Sequence, residues 1–268
     1  MAKGKIGFIG LGSMGKPMAK RLLEQGWAVT GCAHVRRDAI DELKKLGLVE
    51  AGSPRQVAEA ADYVITMVRD TNESRDVILG DAGALSGMRR GTTLIIMSTI
   101  DPDFCRRVAE DATPRGIAVL DAPVSGFPFR AEQGALAIMV GGEPSVIERC
   151  RPVLEAMGQI FPCGTVGMGM VTKLANNAVA MGTAALLLEA RALARAYGMS
   201  EENLFAVFKH SSANSFLVQN WEAIGKMWDH VLGLGLKDLG ICLGVAKARG
   251  VRMPLAASAG DFQWSAYR

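Results

Sequence analysis

Lys5-Ile6-Gly7-Phe8-Ile9-Gly10-Leu11-Gly12-Ser13-Met14-Gly15 decides how this chain is read: a short apolar run that breaks into glycines spaced G-x-G-x-x-G. The spacing alone says little, because glycine-rich turns are common. Its setting says more. The run before it is strand-like, and residues 16–25 after it carry Met18, Ala19, Leu22 and Leu23 at helical spacing before stopping at Gly26. In such a strand–loop–helix, Gly10 makes the tight turn, Gly12 lets the backbone approach a pyrophosphate, and Gly15 allows helix and strand to pack closely. Leu11, Ser13 and Met14 complete the loop, and the free N–H groups at the helix start face the anion. The bland alternative is an ordinary turn with no ligand.

Outward from this loop, strand-like and helix-like segments alternate. Trp27-Ala28-Val29-Thr30 reads as a second strand and residues 37–46 as a second helix ending at Gly47. Tyr63-Val64-Ile65-Thr66-Met67, Thr93-Leu94-Ile95-Ile96-Met97 and Ile117-Ala118-Val119-Leu120 are further β-rich runs, with helical patterns at 74–79 and 103–112 between them. That alternation predicts βαβ units and a parallel sheet. Residues 137–140, 145–157 and Ile160-Phe161 add a strand, a helix and an edge strand. After Gly164 the strand signals stop. Residues 171–197 form one long Ala- and Leu-rich helical stretch, Ser200-Glu201-Glu202-Asn203 resembles a helix start, and 221–228 and 236–248 read as two more helices. The expected fold is α/β: an N-terminal Rossmann-type doubly wound sheet domain over residues 1–164, then an all-helical domain over residues 165–268.

Composition excludes several classes. The 268 residues are 49% hydrophobic, enough for a substantial core, and 30 Lys+Arg against 27 Asp+Glu leave a net charge of only +3. A chain that binds polyanions needs clustered excess cation, so no nucleic-acid partner is expected. Cys32, Cys105, Cys150, Cys163 and Cys242 are odd in number and never spaced C-x-x-C, which argues against disulfides or a thiolate zinc site and fits a reducing compartment. His34, His210 and His230 show no ligand spacing, so no metal is expected. The apolar N-terminal run is broken by glycines too soon for a signal peptide. The uncharged helical run 174–188, bracketed by Lys173 and Glu189, is shorter than the ~20 residues of a bilayer span. The expectation is a cytoplasmic protein with no membrane partner.

The segment after the second strand speaks to the dinucleotide. A fold that selects NAD usually places an acid there for the ribose 2′-OH. Here Cys32-Ala33-His34-Val35-Arg36-Arg37 holds none before Asp38. With His34, Arg36 and Arg37 as its contacts, the site should take a 2′-phosphate: NADP(H) preferred, NAD(H) possible. The bland alternative leaves both arginines as solvated residues at a helix start.

Four ordered motifs carry a resemblance. Phe8 through Gly15, Asp121-Ala122-Pro123-Val124-Ser125-Gly126, Gly169-Met170-Val171-Thr172-Lys173-Leu174-Ala175-Asn176-Asn177 and Leu236-Lys237-Asp238-Leu239 together resemble the β-hydroxyacid dehydrogenase family over nearly the whole chain. That family includes 3-hydroxyisobutyrate dehydrogenase and semialdehyde reductases, and it is 6-phosphogluconate dehydrogenase-like in plan. The resemblance implies an NAD(P)-dependent dehydrogenase or reductase that acts on a small carboxylate-bearing substrate. Its active site is expected in the cleft between the two domains. Lys173 is implied as the catalytic lysine and Asn177 as its helper. A lysine can give or take the hydroxyl proton if burial or nearby cations pull its pKa toward neutrality. Ser125, Gly126 and Phe127 fall at the implied carboxylate site, and Lys237 is expected to close over substrate and cofactor. Val68, Arg69, Asn72 and Thr99 fall along the cofactor. Family members associate through the helical domain, so a homodimer or homotetramer is expected.

The chain also departs from the pattern. Phe127 stands where a second glycine is usual, followed by Pro128-Phe129-Arg130, where Arg130 could add a second anion contact. Arg69 replaces a common proline. The stretch 228–237 and the tail after Ala259 are short against the family. Two rivals stay open: an imine reductase-like NADPH enzyme, favoured by Phe127 and Phe129 but opposed by Lys173, and a non-catalytic nucleotide-binding module.

Overall fold

A computed structural model describes residues 3–33 and 37–267, and the chain divides into two compact units, Met1–Lys173 and Leu174–Arg268. The first unit starts with β1 (Lys5–Ile9), α1 (Gly15–Glu24), β2 (Ala28–Cys32), α2 (Asp38–Lys44), β3 (Val49–Ala51), α3 (Pro54–Glu59) and β4 (Tyr63–Thr66). It continues through α4 (Thr71–Leu79), α5 (Ala84–Gly87), β5 (Thr93–Ile96), α6 (Pro102–Ala112) and β6 (Ala118–Asp121). These six strands run parallel in the order β3-β2-β1-β4-β5-β6. The chain winds outward from β1 in one direction, then jumps to β4 and winds in the other. This is the doubly wound plan, with its switch point between β1 and β4.

Burial explains why these runs are strands. In β1, Ile6, Phe8 and Ile9 are shut away from water, as are Leu94, Ile95 and Ile96 in β5, the near-continuous burial of a sheet covered on both faces. Alternate residues feed two separate cores. Ile6, Phe8, Ile65, Ile95 and Leu120 pack with Met18 and Leu22 of α1. Ile9, Val64, Leu94, Ile96 and Val119 pack with Val57 of α3 and Phe104 and Val108 of α6.

Beyond β6 the sheet is mixed. β7 (Val124–Ser125), α7 (Phe127–Gln133), β8 (Leu136–Gly141), α8 (Pro144–Glu155) and β9 (Gly158–Gly164) follow. β8 lies antiparallel to β6 and β7, and parallel to β9. The parallel sheet read from the alternating segments holds for β1–β6; β8, whose direction the sequence left open, is antiparallel because α7, at seven residues, is too short to carry the chain back for a parallel return.

The second unit is helical: most of α9 (Met168–Ala196), then α10 (Glu201–Phe208), α11 (Phe216–Gln219), α12 (Trp221–Gly225), α13 (Trp228–Ala248) and α14 (Pro254–Gly260). Ser200 caps α10 by accepting from the Asn203 N–H at 3.2 Å. Sequence patterning separates a helix at 236–248 from one at 221–228, yet α13 is continuous from Trp228. Gly233 and Gly235 lie inside it, and a Cβ at Gly235 would lie 2.3 Å from Met181 Sδ. That glycine admits a neighbouring helix rather than ending its own. α14 went unanticipated as well.

By length and composition α9 is apolar enough to cross a bilayer, which the shorter run 174–188 did not suggest. Its Leu174, Ala178, Met181, Ala184, Ala185 and Leu188 are buried in the core of the second unit, with Leu239, Cys242 and Trp264. Packing of a core helix accounts for that face, while Val179, Leu186 and Leu193 are exposed. All five cysteines are unpaired.

Candidate active site

The glycine loop sits at the carboxyl end of β1, beside the carboxyl end of β4, at the switch point where open α/β sheets bind ligands. Its three glycines have different reasons to be glycine. Gly10 takes φ +98°, and a Cβ there would fall 2.2 Å from the Met67 carbonyl oxygen. A Cβ on Gly15 would fall 1.8 Å from the Gly10 carbonyl oxygen. A Cβ on Gly12 would meet nothing within 4 Å. Two glycines are therefore demanded by the protein itself, while the third borders open space. α1 has no side-chain cap and no acid in its first turn; the Lys16 N–H already donates to the Gly12 carbonyl at 2.9 Å and Pro17 has none, so the donors left for an anion are those of the loop and of Gly15. These features fit a dinucleotide pyrophosphate, with Leu11, Ser13 and Met14 alongside.

Val68 follows β4, where its N–H donates to Ser98 Oγ at 2.8 Å. Arg69 is exposed, its N–H donating to Glu73 at 2.8 Å and its guanidinium 3.5 Å from Asp70. Asn72 lies exposed in the first turn of α4, which Asp70 caps through the Glu73 N–H. Thr99 follows β5, half-buried. Val68, Thr99 and the glycine loop thus share the carboxyl edge of three adjacent strands. His34 and Arg36 lie outside the described residues. Arg37 does not stand alone: its guanidinium donates to both Glu50 oxygens at 2.9 and 3.1 Å, and Lys44 reaches the same carboxylate at 2.9 Å. The two cations hold the Glu50 carboxyl below its ordinary range. Glu50, on β3, is a neighbour that spacing around Arg37 did not reveal.

Ser125 ends β7, and Gly126 turns at φ +143° into α7. Phe127 is the one described residue other than glycine with positive φ, at 62°. The left-handed conformation costs an L-residue about 1–2 kcal/mol, so the ring is kept there against backbone preference. It stacks on Phe129 with centroids 6.0 Å apart.

The start of α9 is tied to the sheet by a residue the sequence motifs contained without a role. Asp121, fully buried at the end of β6, accepts from the Gly167 N–H at 2.6 Å and from the Met170 N–H at 2.7 Å. A Cβ on Gly169 would lie 2.9 Å from the same carboxylate and 2.3 Å from the Met139 carbonyl oxygen. The first turn of α9 is therefore fitted closely to the strand ends, and Lys173, one turn on, is only 7% exposed. Burial pushes the Asp121 carboxyl up to about 6, against the two N–H donors that pull it down. Because the folded state raises this pKa, its favourable increment is present below the ordinary value of 3.8 and lost as pH rises through about 6. Asp121→Asn should leave one α9 N–H facing an amide N–H, costing about 1–3 kcal/mol. The wild type's stability advantage over that variant should shrink by about 2 kcal/mol between pH 4 and pH 7. Denaturant unfolding across that range measures both, and an unchanging difference would refute the assignment.

In the second unit, Asn177 is held from both sides. Its Nδ2 donates to Asp238 Oδ2 at 2.6 Å, and its Oδ1 accepts from Asn176 at 3.0 Å. Asp238 is 6% exposed, and the Lys237 ammonium lies 2.7 Å from its Oδ1, an ion pair not aligned as a hydrogen bond. Lys237 is thus half-buried and charge-paired rather than a solvated surface lysine. Asp238, quoted only as a neighbour in the sequence motif, emerges as the residue that orients Asn177.

Comparison with known proteins adds to this geometry. Residues 5–169 match the model of the NAD binding domain of 6-phosphogluconate dehydrogenase, and residues 167–266 that of NADP-dependent 3-hydroxyisobutyrate dehydrogenase. The chain is 37% identical to a 3-hydroxyisobutyrate dehydrogenase of Pseudomonas aeruginosa, covering 95% of this chain and 89% of that protein. It is 35% identical to an NAD-dependent L-serine dehydrogenase of the same organism, over 95% and 89%. Among solved structures, the 3-hydroxyisobutyrate dehydrogenase of Mycobacterium tuberculosis with L-serine superposes with a TM-score of 0.84 at 31% identity, covering 97% and 92% of the two chains.

Proposed function

The chain belongs to the β-hydroxyacid dehydrogenase family and is an NAD(P)-dependent oxidoreductase; from that premise we propose that it interconverts a small β-hydroxyacid and the matching semialdehyde, with Lys173 as proton carrier and NADP(H) as the preferred cofactor. The observation that carries this reading is the burial of Lys173 on a helix whose start Asp121 holds in place. A lysine on a helix face ordinarily reaches water through its long stem, and this one is held out of it.

In the oxidising direction, the Lys173 amine takes the proton of the substrate hydroxyl as the carbon gives up hydride. In the reducing direction, its ammonium returns that proton to the carbonyl oxygen. A bound nicotinamide supplies or accepts the hydride. Asn177, one turn along α9 from Lys173, has one amide proton committed to Asp238 and a second with which to hold the substrate oxygen. Ser125 and the Gly126 backbone grip the carboxylate. A panel of small hydroxyacids and semialdehydes, with a cyclic imine beside them, tests the reading at the nicotinamide absorbance with each cofactor. Turnover of the imine alone, or of nothing, overturns it.

The NADP(H) preference rests on the missing acid between Cys32 and Arg37, and on the NADP-dependent group whose model matches residues 167–266. Glu50, which Lys44 also pairs, holds Arg37 in one place, which prepares its guanidinium for a phosphate but also gives the phosphate a carboxylate to displace. Replacing Arg36 and Arg37 by Ala should raise the KM for NADPH roughly 10- to 100-fold, the loss of charge-assisted hydrogen bonds, and the KM for NADH far less. Equal effects on both would remove phosphate recognition. Self-association through the helical unit belongs to the same reading: Val179, Leu186 and Leu193, seven residues apart on α9, are all exposed.

A further inference from the structure

We propose that Arg130 binds a second anionic group of the substrate, so that the preferred substrate is a β-hydroxyacid with a second carboxylate. This rests on the reading of Ser125 and Gly126 as the site of the first. Arg130 lies one helical turn beyond Gly126. A Cβ built on Gly126 would come 3.0 Å from Arg130 Cβ and 3.1 Å from its Cδ. The arginine stem is therefore folded back over the bare glycine, toward the Ser125–Gly126 turn rather than away from it. Gly126 is the residue that leaves room for it.

The charge at the end of that stem meets none of the described residues. The side chain is half-buried, yet among the described residues its guanidinium has no hydrogen-bond or ion-pair partner. Several arginines of this chain are held by carboxylates, Arg37 by Glu50, Arg106 by Asp103, Arg151 by Glu148 and Glu155, Arg191 by Glu201, whereas Arg149 donates to the Thr93 hydroxyl. Glu132, two residues on, is exposed and makes no pair with Arg130. A guanidinium carries five donors in a planar fork, keeps its charge at any physiological pH, and matches a carboxylate bidentately. Partly withdrawing one from water without a partner is unfavourable. An anion arriving with the substrate repairs that deficit.

The neighbouring rings define what separates the two anions. Phe127 and Phe129 stack nearly parallel, 19° apart, on either side of Pro128. They present apolar surface where a glycine would leave space. A substrate branch that ends in a charge but is aliphatic along its length suits both features.

The test uses a matched pair, 3-hydroxy-2-methylpropanoate and 2-(hydroxymethyl)butanedioate, in which a methyl group is exchanged for a carboxymethyl group. Wild-type kcat/KM should favour the diacid. Arg130→Met keeps the aliphatic stem against Gly126 and removes the charge. It should raise the diacid KM by roughly 10- to 100-fold, with a several-fold smaller effect on the monoacid and little change in kcat. Arg130→Lys should recover part of the loss. Equal losses on the two acids, or a wild type indifferent to the second carboxylate, would overturn the proposal. If the wild type oxidises neither acid, the activity reading above fails separately, and calorimetry on the enzyme–cofactor complex decides this one. Succinate binding that Arg130→Met weakens, with butyrate bound poorly by both proteins, upholds it; no preference for succinate ends it.

Discussion

Lys173→Ala is expected to lower kcat by about 10²- to 10⁴-fold, the ordinary worth of a positioned proton carrier, while NADPH affinity stays near that of the wild type. The two effects separate because Lys173 lies on α9 whereas the glycine loop lies at the end of β1. Truncating a buried side chain also removes packing, so Lys173→Met serves as the control that keeps the stem. Both variants should lose turnover alike if the amine carries the chemistry. Steady-state kinetics with a reactive semialdehyde and fluorescence titration of NADPH make the comparison. A variant with near-normal rate would end the assignment, and equal loss of cofactor affinity would reduce Lys173 to a structural residue.

Gly15→Ala should damage the fold itself. The added methyl would sit 1.8 Å from the Gly10 carbonyl oxygen and 3.1 Å from Phe8, and the first obstacle is backbone that cannot rotate away. Either α1 moves off β1 or the loop opens. Overpacking costs about 1–3 kcal/mol and sometimes more, and an immovable neighbour puts this case at the upper end. A drop of roughly 5–10 °C in Tm without cofactor follows for a chain of this size. Gly12→Ala is the informative partner, since its methyl meets no protein atom within 4 Å. That variant should keep the wild-type Tm and lose NADPH affinity, because the methyl occupies space meant for the pyrophosphate. If both glycines gave the same stability loss, the division of labour within the loop would be wrong.

The doubly wound half was legible because its signals are local. Each parallel strand is a short continuous apolar run bounded by turn residues, and the helices between them show their own periodicity. Legibility ended where local pattern and tertiary contact disagree. β3 is only three residues long and owes its strand pairing to β2. Residues 221–228 and 236–248 read as separate helices, whereas α13 runs unbroken from Trp228 with Met181 packed against Gly235. β8 turned antiparallel for want of a long crossover, a matter of connection geometry that hydrophobic pattern does not encode.

The candidate site divides along the same line. Lys173 and Asn177 could be put on one helix face from their spacing, because four residues make about one turn. The glycine roles could be assigned from their order after β1. The partners of those residues could not. Asp121 reaches Gly167 and Met170 across 46 and 49 residues of sequence, Asp238 reaches Asn177 across 61, and Glu50 reaches Arg37 across 13.

The chain's own order of residues therefore determined the fold class, the dinucleotide loop and the family, since each depends on short-range spacing within an element or between adjacent ones. Tertiary structure alone decided which acids position Asn177 and the start of α9, which glycine is free to face a ligand, and that Arg130 folds back over Gly126. Those properties depend on side chains brought together by burial, and hydrogen bonding and Coulomb attraction act over a few ångströms regardless of how far apart the residues lie along the backbone.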